Sequence, residues 1–251
     1  MPSKFVSKRN LEFLLYEVFD VLSLTQYPYY RQHNKKAFDL ILDASLKMAK
    51  QLLHPIFEEM DRKPPEMENG CVKVHPAVRT IMEQFGEGGW IAAKFEERFD
   101  GEQLPYMIAD CCQFVFAAAN YSGVTFPGLT AKAARLITSF GSKTQIDTYV
   151  PPMLGGRWQG TMALTEPQAG SSLADITTTA VPLEGDTYRI RGQKIFISAG
   201  DHDGVDNVVH LMLAKIEGAP AGVRGISLFI VPRKRPDGQG GLVPNDVTVS
   251  Q

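Results

Sequence analysis

The residues with most capacity for chemistry lie in two short stretches, MALTEPQAGSS at 162–172 and KIFISAG at 194–200. In the first, an apolar run of strand character leads into Thr165, Glu166 and Pro167 and closes on small residues and two hydroxyls, Ser171 and Ser172. Thr165 can hydrogen-bond through its hydroxyl, and Pro167 and Gly170 set a sharp turn. The backbone N–H groups of residues 169–172 carry little side chain over them, as a bound diphosphate requires. The same composition also describes an ordinary strand followed by a proline-containing turn. In the second stretch Phe196 and Ser198 have i, i+2 spacing, so on a strand both point to one side. A flat heteroaromatic ring could then stack on Phe196 while Ser198 bonds its edge. Taken alone, the stretch also reads as a core strand with one buried serine.

Other clusters carry less. Asp201, His202, Asp203 and Asp206 have the look of a metal loop, but a calcium EF-hand would need an acidic residue where Met212 stands, so the cluster reads as a solvated turn and no metal is expected. Arg233, Lys234 and Arg235 read as a solvated strand end rather than a phosphate contact. His54, directly before Pro55, has no partner spacing. The three cysteines, Cys71, Cys111 and Cys112, are odd in number and follow no ligand spacing, which fits free thiols in a reducing compartment. With 26 basic against 28 acidic residues, a net charge of -2 provides no field for nucleic acid or an anionic membrane surface. Residues 1–10 are basic, yet Glu12, Glu17 and Asp20 interrupt any signal-peptide run. The most apolar runs, 114–119 and 208–214, fall far short of the ~20 residues of a membrane helix. No membrane span and a cytoplasmic location are expected.

The elements that must position the two stretches follow from periodicity. A chain of 251 residues, 44% hydrophobic and 22% charged, is long enough for two modest cores. Leu11, Leu14, Leu15, Val18, Phe19 and Leu22 predict a one-sided helix over 11–24. Leu40, Ile41, Ala44, Leu46, Met48, Leu52 and Leu53 predict the buried side of a second over 37–57, kinked or ended by Pro55. Residues 62–70 read as a loop. Helices are predicted over 76–85, 104–120 and 129–140, and Ser142 three residues before Gln145 predicts a capping box opening a short helix that Pro151 and Pro152 stop. Beyond Gly155 and Gly156 the β-branched content rises, and strands are predicted at 159–164, 176–181, 187–193, 194–198, 208–216 and 225–231, with a turn at 184–186. Residues 236–251 are rich in glycine and polar types, with a strand start at Val247, so the β-region reads as unfinished.

Together the two stretches resemble the acyl-CoA dehydrogenase family, which carries an LTEP-x-AGS(D) turn and then a K-x-[WF]-I-[ST]-x-G strand in this order and at similar separation. YVPPMLGG at 149–156 resembles the family's entry into its middle domain, while 7–22 and 201–232 resemble its long-form subgroup. The fold class expected is multidomain α and β: an amino-terminal all-α helical domain followed by an incomplete antiparallel β-barrel middle domain, divided as 1–36, 37–156 and 157–251. The resemblance implies that Met162, Ala163, Leu164, Thr165, Gly170 and Ser171 line FAD, with Leu164 and Thr165 near the pyrimidine side of the flavin. It makes Ser171 a contact to the diphosphate and to bound acyl-CoA. Phe196, Ile197 and Ser198 would lie along the isoalloxazine, Ser198 bonding near N5. Phe196 stands where tryptophan is commoner and keeps the stacking face without an indole N–H. Ser172 stands where aspartate is usual, so a structural bond made by that carboxylate is expected to be absent.

The family reaction takes the α-proton of an acyl-CoA with a glutamate while the β-hydrogen leaves as hydride to FAD, giving the 2,3-enoyl-CoA. That base belongs to a carboxy-terminal helical domain; Glu166 is expected to be structural, and no catalytic residue is expected within these 251 residues. The chain alone is therefore expected to hold FAD weakly or not at all, and not to turn over substrate. The implied partners are the acyl-CoA substrate, an electron-transferring flavoprotein and further copies in a homodimer or tetramer. A non-catalytic flavin- or acyl-CoA-binding scaffold and an acyl-CoA oxidase are the alternatives.

Overall fold

Helix formation starts at Ser7, whose hydroxyl accepts the N–H of Asn10 and opens α1 (Lys8–Glu12). The computed structural model describes residues 5–249, so the first four residues of the expected segment 1–36 and the last two of 157–251 lie outside the described residues. After α1 the chain widens into a π-turn (Phe13–Val18), passes Asp20 in the left-handed region (φ 45°) and continues as a 3₁₀ turn (Val21–Gln26). The single helix expected over 11–24 is thus broken. A π-turn bonds i to i+5 and shifts the apolar stripe. Leu11, Leu15 and Val21 are buried, whereas Leu14, Val18 and Phe19 stay exposed.

Asn34 caps α2 (Lys35–Met48) by accepting the N–H of Ala37 at 3.0 Å. The helix buries Phe38, Leu42, Ser45 and Leu46, then runs through a π-turn (Ala49–Leu53) and a 3₁₀ turn around Pro55 into α3 (Phe57–Arg62). The phase differs from the one expected. Two apolar stripes compete here, and the stripe carrying the larger Phe38 wins, leaving Leu40 and Ala44 exposed. The loop expected over 62–70 holds the first strand and the turn of a hairpin, β1 (Glu66–Glu68) followed by Asn69 and Gly70, both at positive φ, and β2 (Cys71–Lys73) completes it.

After α4 (Ala77–Glu87), the helices expected at 104–120 and 129–140 form one element, α5 (Tyr106–Phe140), kinked at Asn120. Asn120 is buried and accepts the N–H of Gly123, so that group keeps a partner at the kink, and its Nδ2 donates to the carbonyl of Leu53 in the neighbouring π-turn. The capping box forms as expected at the start of α6 (Lys143–Leu154), Ser142 and Gln145 satisfying each other's backbone N–H. The helix nevertheless continues past Pro151 and Pro152, because Val150, Met153 and Leu154 bury their side chains in the core. Ser142→Ala is expected to lower stability by about 1 kcal/mol, read as a shifted urea midpoint at unchanged m-value. An unchanged midpoint would show the box to be idle.

Strand β3 (Trp158–Ala163) follows, then β4 (Thr179–Pro182), β5 (Tyr188–Arg191), β6 (Asn207–Ile216), β7 (Ile226–Pro232) and the small hairpin β8 (Lys234–Pro236) and β9 (Leu242–Pro244). Sheet order is β3-β6-β4-β5 with β7 on the other edge of β6. This is the curled half-barrel that the fold class requires, but its pairing is mixed. The β4/β5 and β6/β7 pairs are antiparallel; β3 and β4 both run parallel to β6, which a long crossover through residues 164–206 permits. No strand begins at Val247. Residues 194–198 are not a strand either, which reshapes the site described below.

The core is continuous from helices to sheet. Helices α5 and α6 lie on β3 so closely that a Cβ on Gly160 would sit 2.6 Å from Ala133 Cβ of α5 and 2.6 Å from Met153 Cε of α6. Val208, Val209 and Leu211 of β6 belong to the same buried cluster as Ile81, Phe116 and Met153. The sheet, and with it the mouth of β3, is thereby seated on the helical layer. Among the described residues, no helix is long and apolar enough to cross a membrane.

Candidate functional site

Strand β3 ends at Ala163, and Leu164 and Thr165 leave the sheet before a tight turn closes between Glu166 and Ala169 through reciprocal backbone bonds of 2.8 and 3.1 Å. Pro167 and Gln168 cap that turn in solvent. Gly170, Ser171 and Ser172 are exposed beyond it, and a Cβ on Gly170 would meet nothing nearer than Thr165 Cγ2 at 3.8 Å. Ser172 donates to Asp175 Oδ2 at 2.6 Å and opens a 3₁₀ turn (Leu173–Asp175).

The second stretch lies against the first. Ile195 donates its backbone N–H to the carbonyl of Thr165 at 2.9 Å, and Lys194 Nζ reaches both the carbonyl of Leu164 (3.1 Å) and Glu166 Oε1 (2.7 Å). This contact brings residues 164–166 and 194–195 together. Yet Phe196 adopts φ 59° and Ala199 φ 53°, and the stretch makes a single ladder bond. The expected strand, with Phe196 and Ser198 on one side by alternation, is thus corrected to an irregular segment. A β-favouring sequence gives way here to the clamp at Lys194 and to a turn in which Gly200 N–H bonds the carbonyl of Ile197. Phe196 ends 89% exposed, Ser198 is exposed, and Ile197 is half-buried.

The carboxylate of Glu166 is 2% exposed by residue and accepts six bonds: from Lys194 Nζ, the N–H and hydroxyl of Thr177, the N–H and hydroxyl of Thr178, and Gln168 Nε2. Burial opposes its charge, but the Lys194 ammonium and the threonine donors outweigh burial and hold it well below the usual carboxylate range. An acid so held cannot take a proton at neutral pH. The Glu166 carboxylate is bound up in the local structure on both oxygens. Sequence reasoning missed Lys194, Thr177 and Thr178 in this part; the available signal was one acid within the first stretch and one base at the head of the second.

Whether these residues suit a flavin dinucleotide can be tested on unused donors. Among the described residues, the hydroxyls of Thr165, Ser171 and Ser198 and the N–H groups of Gly170 and Ser171 make no bond within the protein. Phe196 leaves its ring exposed, Met162 and Leu164 are half-buried and Ala163 is buried, and the two stretches meet where Ile195 N–H bonds the Thr165 carbonyl and Lys194 bonds Leu164 and Glu166. Hydroxyl and N–H donors for phosphate and ring carbonyls, together with an uncovered aromatic face, suit the chemistry of such a group.

The acidic cluster differs from the solvated turn expected of it. Asp201 and His202 are buried, and Asp201 Oδ2 pairs with Arg233 at 2.9 Å. Asp203 accepts the N–H of Val74, pairs with Lys73, and donates its own N–H to Val72, while Arg79 reaches Asp206 and the carbonyl of Asp203. The loop therefore fastens the β1–β2 hairpin and α4 to the sheet. Arg233 belongs to this joint rather than to a solvated strand end, and Lys234 bonds the carbonyl of Asp206.

Comparison with known proteins bears on the same residues. The model of the acyl-CoA dehydrogenase N-terminal domain matches residues 37–157, and that of the acyl-CoA dehydrogenase middle domain matches 161–248. The 3-methylmercaptopropionyl-CoA dehydrogenase of Ruegeria pomeroyi is 39% identical over 191 residues, covering 76% of this chain and 32% of that protein. A butyryl-CoA dehydrogenase of Syntrophomonas wolfei is 32% identical over 247 residues, 96% of this chain and 40% of its own length. The fold is shared with a glutaryl-CoA dehydrogenase of Mycobacterium smegmatis crystallised with FADH2, at a TM-score of 0.62 and 19% identity over 84% of this chain and 49% of that one. The chain spans about a third to two fifths of the length of the curated relatives it matches.

Proposed function

Because the chain belongs to the acyl-CoA dehydrogenase family, we propose that it supplies the helical and middle parts, 37–156 and 157–251 behind an extension at 1–36, of an FAD-dependent enzyme that oxidises an acyl-CoA to the 2,3-enoyl-CoA. When bound, FAD supplies the acceptor for the hydride that leaves the β-carbon. The chain's own residues hold and orient it. Thr165, Ser171 and Ser198 donate hydroxyls, Gly170 and Ser171 donate backbone N–H groups, and Met162, Ala163, Leu164, Phe196 and Ile197 form the apolar surround. Ser171 also meets the acyl-CoA. Glu166, saturated by donors, does not serve as the base for the α-proton; that group comes from sequence outside the two matched regions. Electrons pass on to an electron-transferring flavoprotein, and the working form is a homodimer or tetramer.

The observation that carries this reading is the bridge of Lys194 Nζ between Leu164 and Glu166, which joins the two motif stretches into one surface. The test is anaerobic addition of butyryl-CoA and 3-methylmercaptopropionyl-CoA to the flavin-loaded full-length protein. Bleaching of the visible flavin band by either is the expected result. Retained flavin with an unchanged spectrum would indicate a scaffold that binds without chemistry, and failure to take up flavin at all would sink the reading.

A further inference from the structure

We propose that Glu166 is a positioning residue for the flavin-facing edge, acting through Lys194 to hold residues 164–171 against 194–198 with their carbonyls turned away from the cofactor. The inference rests on the flavin reading above. Its physical basis is the saturation of one carboxylate. Oε1 takes Lys194 Nζ (2.7 Å), Thr178 N–H (3.1 Å) and Thr178 Oγ1 (2.5 Å), while Oε2 takes Thr177 N–H (2.6 Å), Thr177 Oγ1 (2.9 Å) and Gln168 Nε2 (2.7 Å). Glu and Lys side chains are 1% and 5% exposed. Only an ionised carboxylate can accept on both oxygens in this way; an amide offers one acceptor and presents N–H where the other donors converge.

The network ties four places: the turn at Gln168, the entry to β4 at Thr177 and Thr178, the head of the second stretch at Lys194, and, through Lys194, the end of β3 at Leu164. With the Leu164 carbonyl taken by Lys194 and the Thr165 carbonyl by Ile195 N–H, both acceptors are occupied internally. The Leu164 and Thr165 carbonyls are thereby withdrawn from any ligand, while the Thr165 hydroxyl and the Gly170 and Ser171 N–H groups stay unused. A buried ion pair is weak evidence for stability, since a well-packed apolar pair can replace it, but an apolar pair cannot hold two carbonyls in place. Positioning is what the charged pair adds.

The experiment uses the full-length protein and Glu166→Gln, Glu166→Asp and the double variant Glu166→Met with Lys194→Met. FAD dissociation constants and visible circular dichroism report the bound flavin, and amide hydrogen exchange of residues 194–198 is followed without flavin. Expected are faster exchange in E166Q, a dissociation constant raised at least about tenfold, as loss of one charged hydrogen bond allows, partial recovery in E166D, and no recovery of affinity in the double variant even where its unfolding midpoint recovers. Unchanged exchange in E166Q, or FAD affinity and dichroism as in the parent for the double variant, would overturn the proposal. A parent protein that takes no FAD while E166Q still loosens 194–198 would leave the clamp standing and remove the flavin reading instead.

Discussion

Between pH 7 and pH 4 the folded chain is expected to lose on the order of 3 kcal/mol of stability through each of two buried histidines. His202 is 1% exposed, accepts the N–H of Gly204 on Nδ1 and has no partner for Nε2; burial lowers its pKa from 6.5 to about 4, with Asp203 resisting and Arg233 and Arg79 assisting the shift. His210, beside Thr161 across the β3/β6 pair, bonds its hydroxyl at 2.7 Å, also leaves Nε2 without a partner, and is lowered by burial to about 4. In the unfolded chain both take a proton near pH 6.5, so below that pH the unfolded state binds more protons and gains. The contribution is complete above pH 6.5 and is lost as the pH falls through about 4. Glu166, held low, adds a further loss below the ordinary carboxylate range, whereas Asp201, raised by burial, works in the opposite sense there. Urea midpoints across this range measure the effect, and His210→Gln, which keeps a partner for Thr161 but does not titrate, should remove about half of the slope. Equal midpoints at pH 7 and 4.5 would refute it.

What was legible in the sequence was whatever is local. Ser142 and Gln145 lie three residues apart and found each other; the strand at β3 and the turn after it were read from a run of types that few other structures accommodate. The family motif picked out two stretches that bond to each other at 164–166 and 194–195. What was not legible depends on distant chain. Phe196 carries strand propensity, yet it takes a left-handed backbone two residues after Lys194, whose acid lies 28 residues away. Asp203 looked solvated because its partner Val74 is 129 residues distant, and an acidic cluster without nearby bases reads as a turn. The phase of α2 was ambiguous for another reason: both stripes are apolar, and only packing of Phe38 decides between them.

Gly156→Ala is expected to be among the most damaging single-methyl additions available to this chain. Gly156 has φ +72°, and a Cβ there would lie 2.0 Å from the carbonyl oxygen of Met82 and 2.7 Å from its carbon. Those are backbone atoms of α4, which has no room to withdraw, because Gly86 one turn on already meets Gly155 so closely that its own Cβ would sit 2.3 Å from that carbonyl carbon. The left-handed conformation alone costs alanine about 1–2 kcal/mol; forced displacement of packed backbone adds a further 1–3 kcal/mol or so. Gly218→Ala separates the two, since Gly218 has φ +79° with nothing within 4 Å of its Cβ position and pays the conformational part only. Urea midpoints at equal m-value should place G156A well below G218A. Equal midpoints would mean that α4 and the α6–β3 turn yield to each other, and β3, whose far end opens into Leu164 and Thr165, would then be less firmly seated on the helical layer than the approach of Gly86 to Gly155 implies.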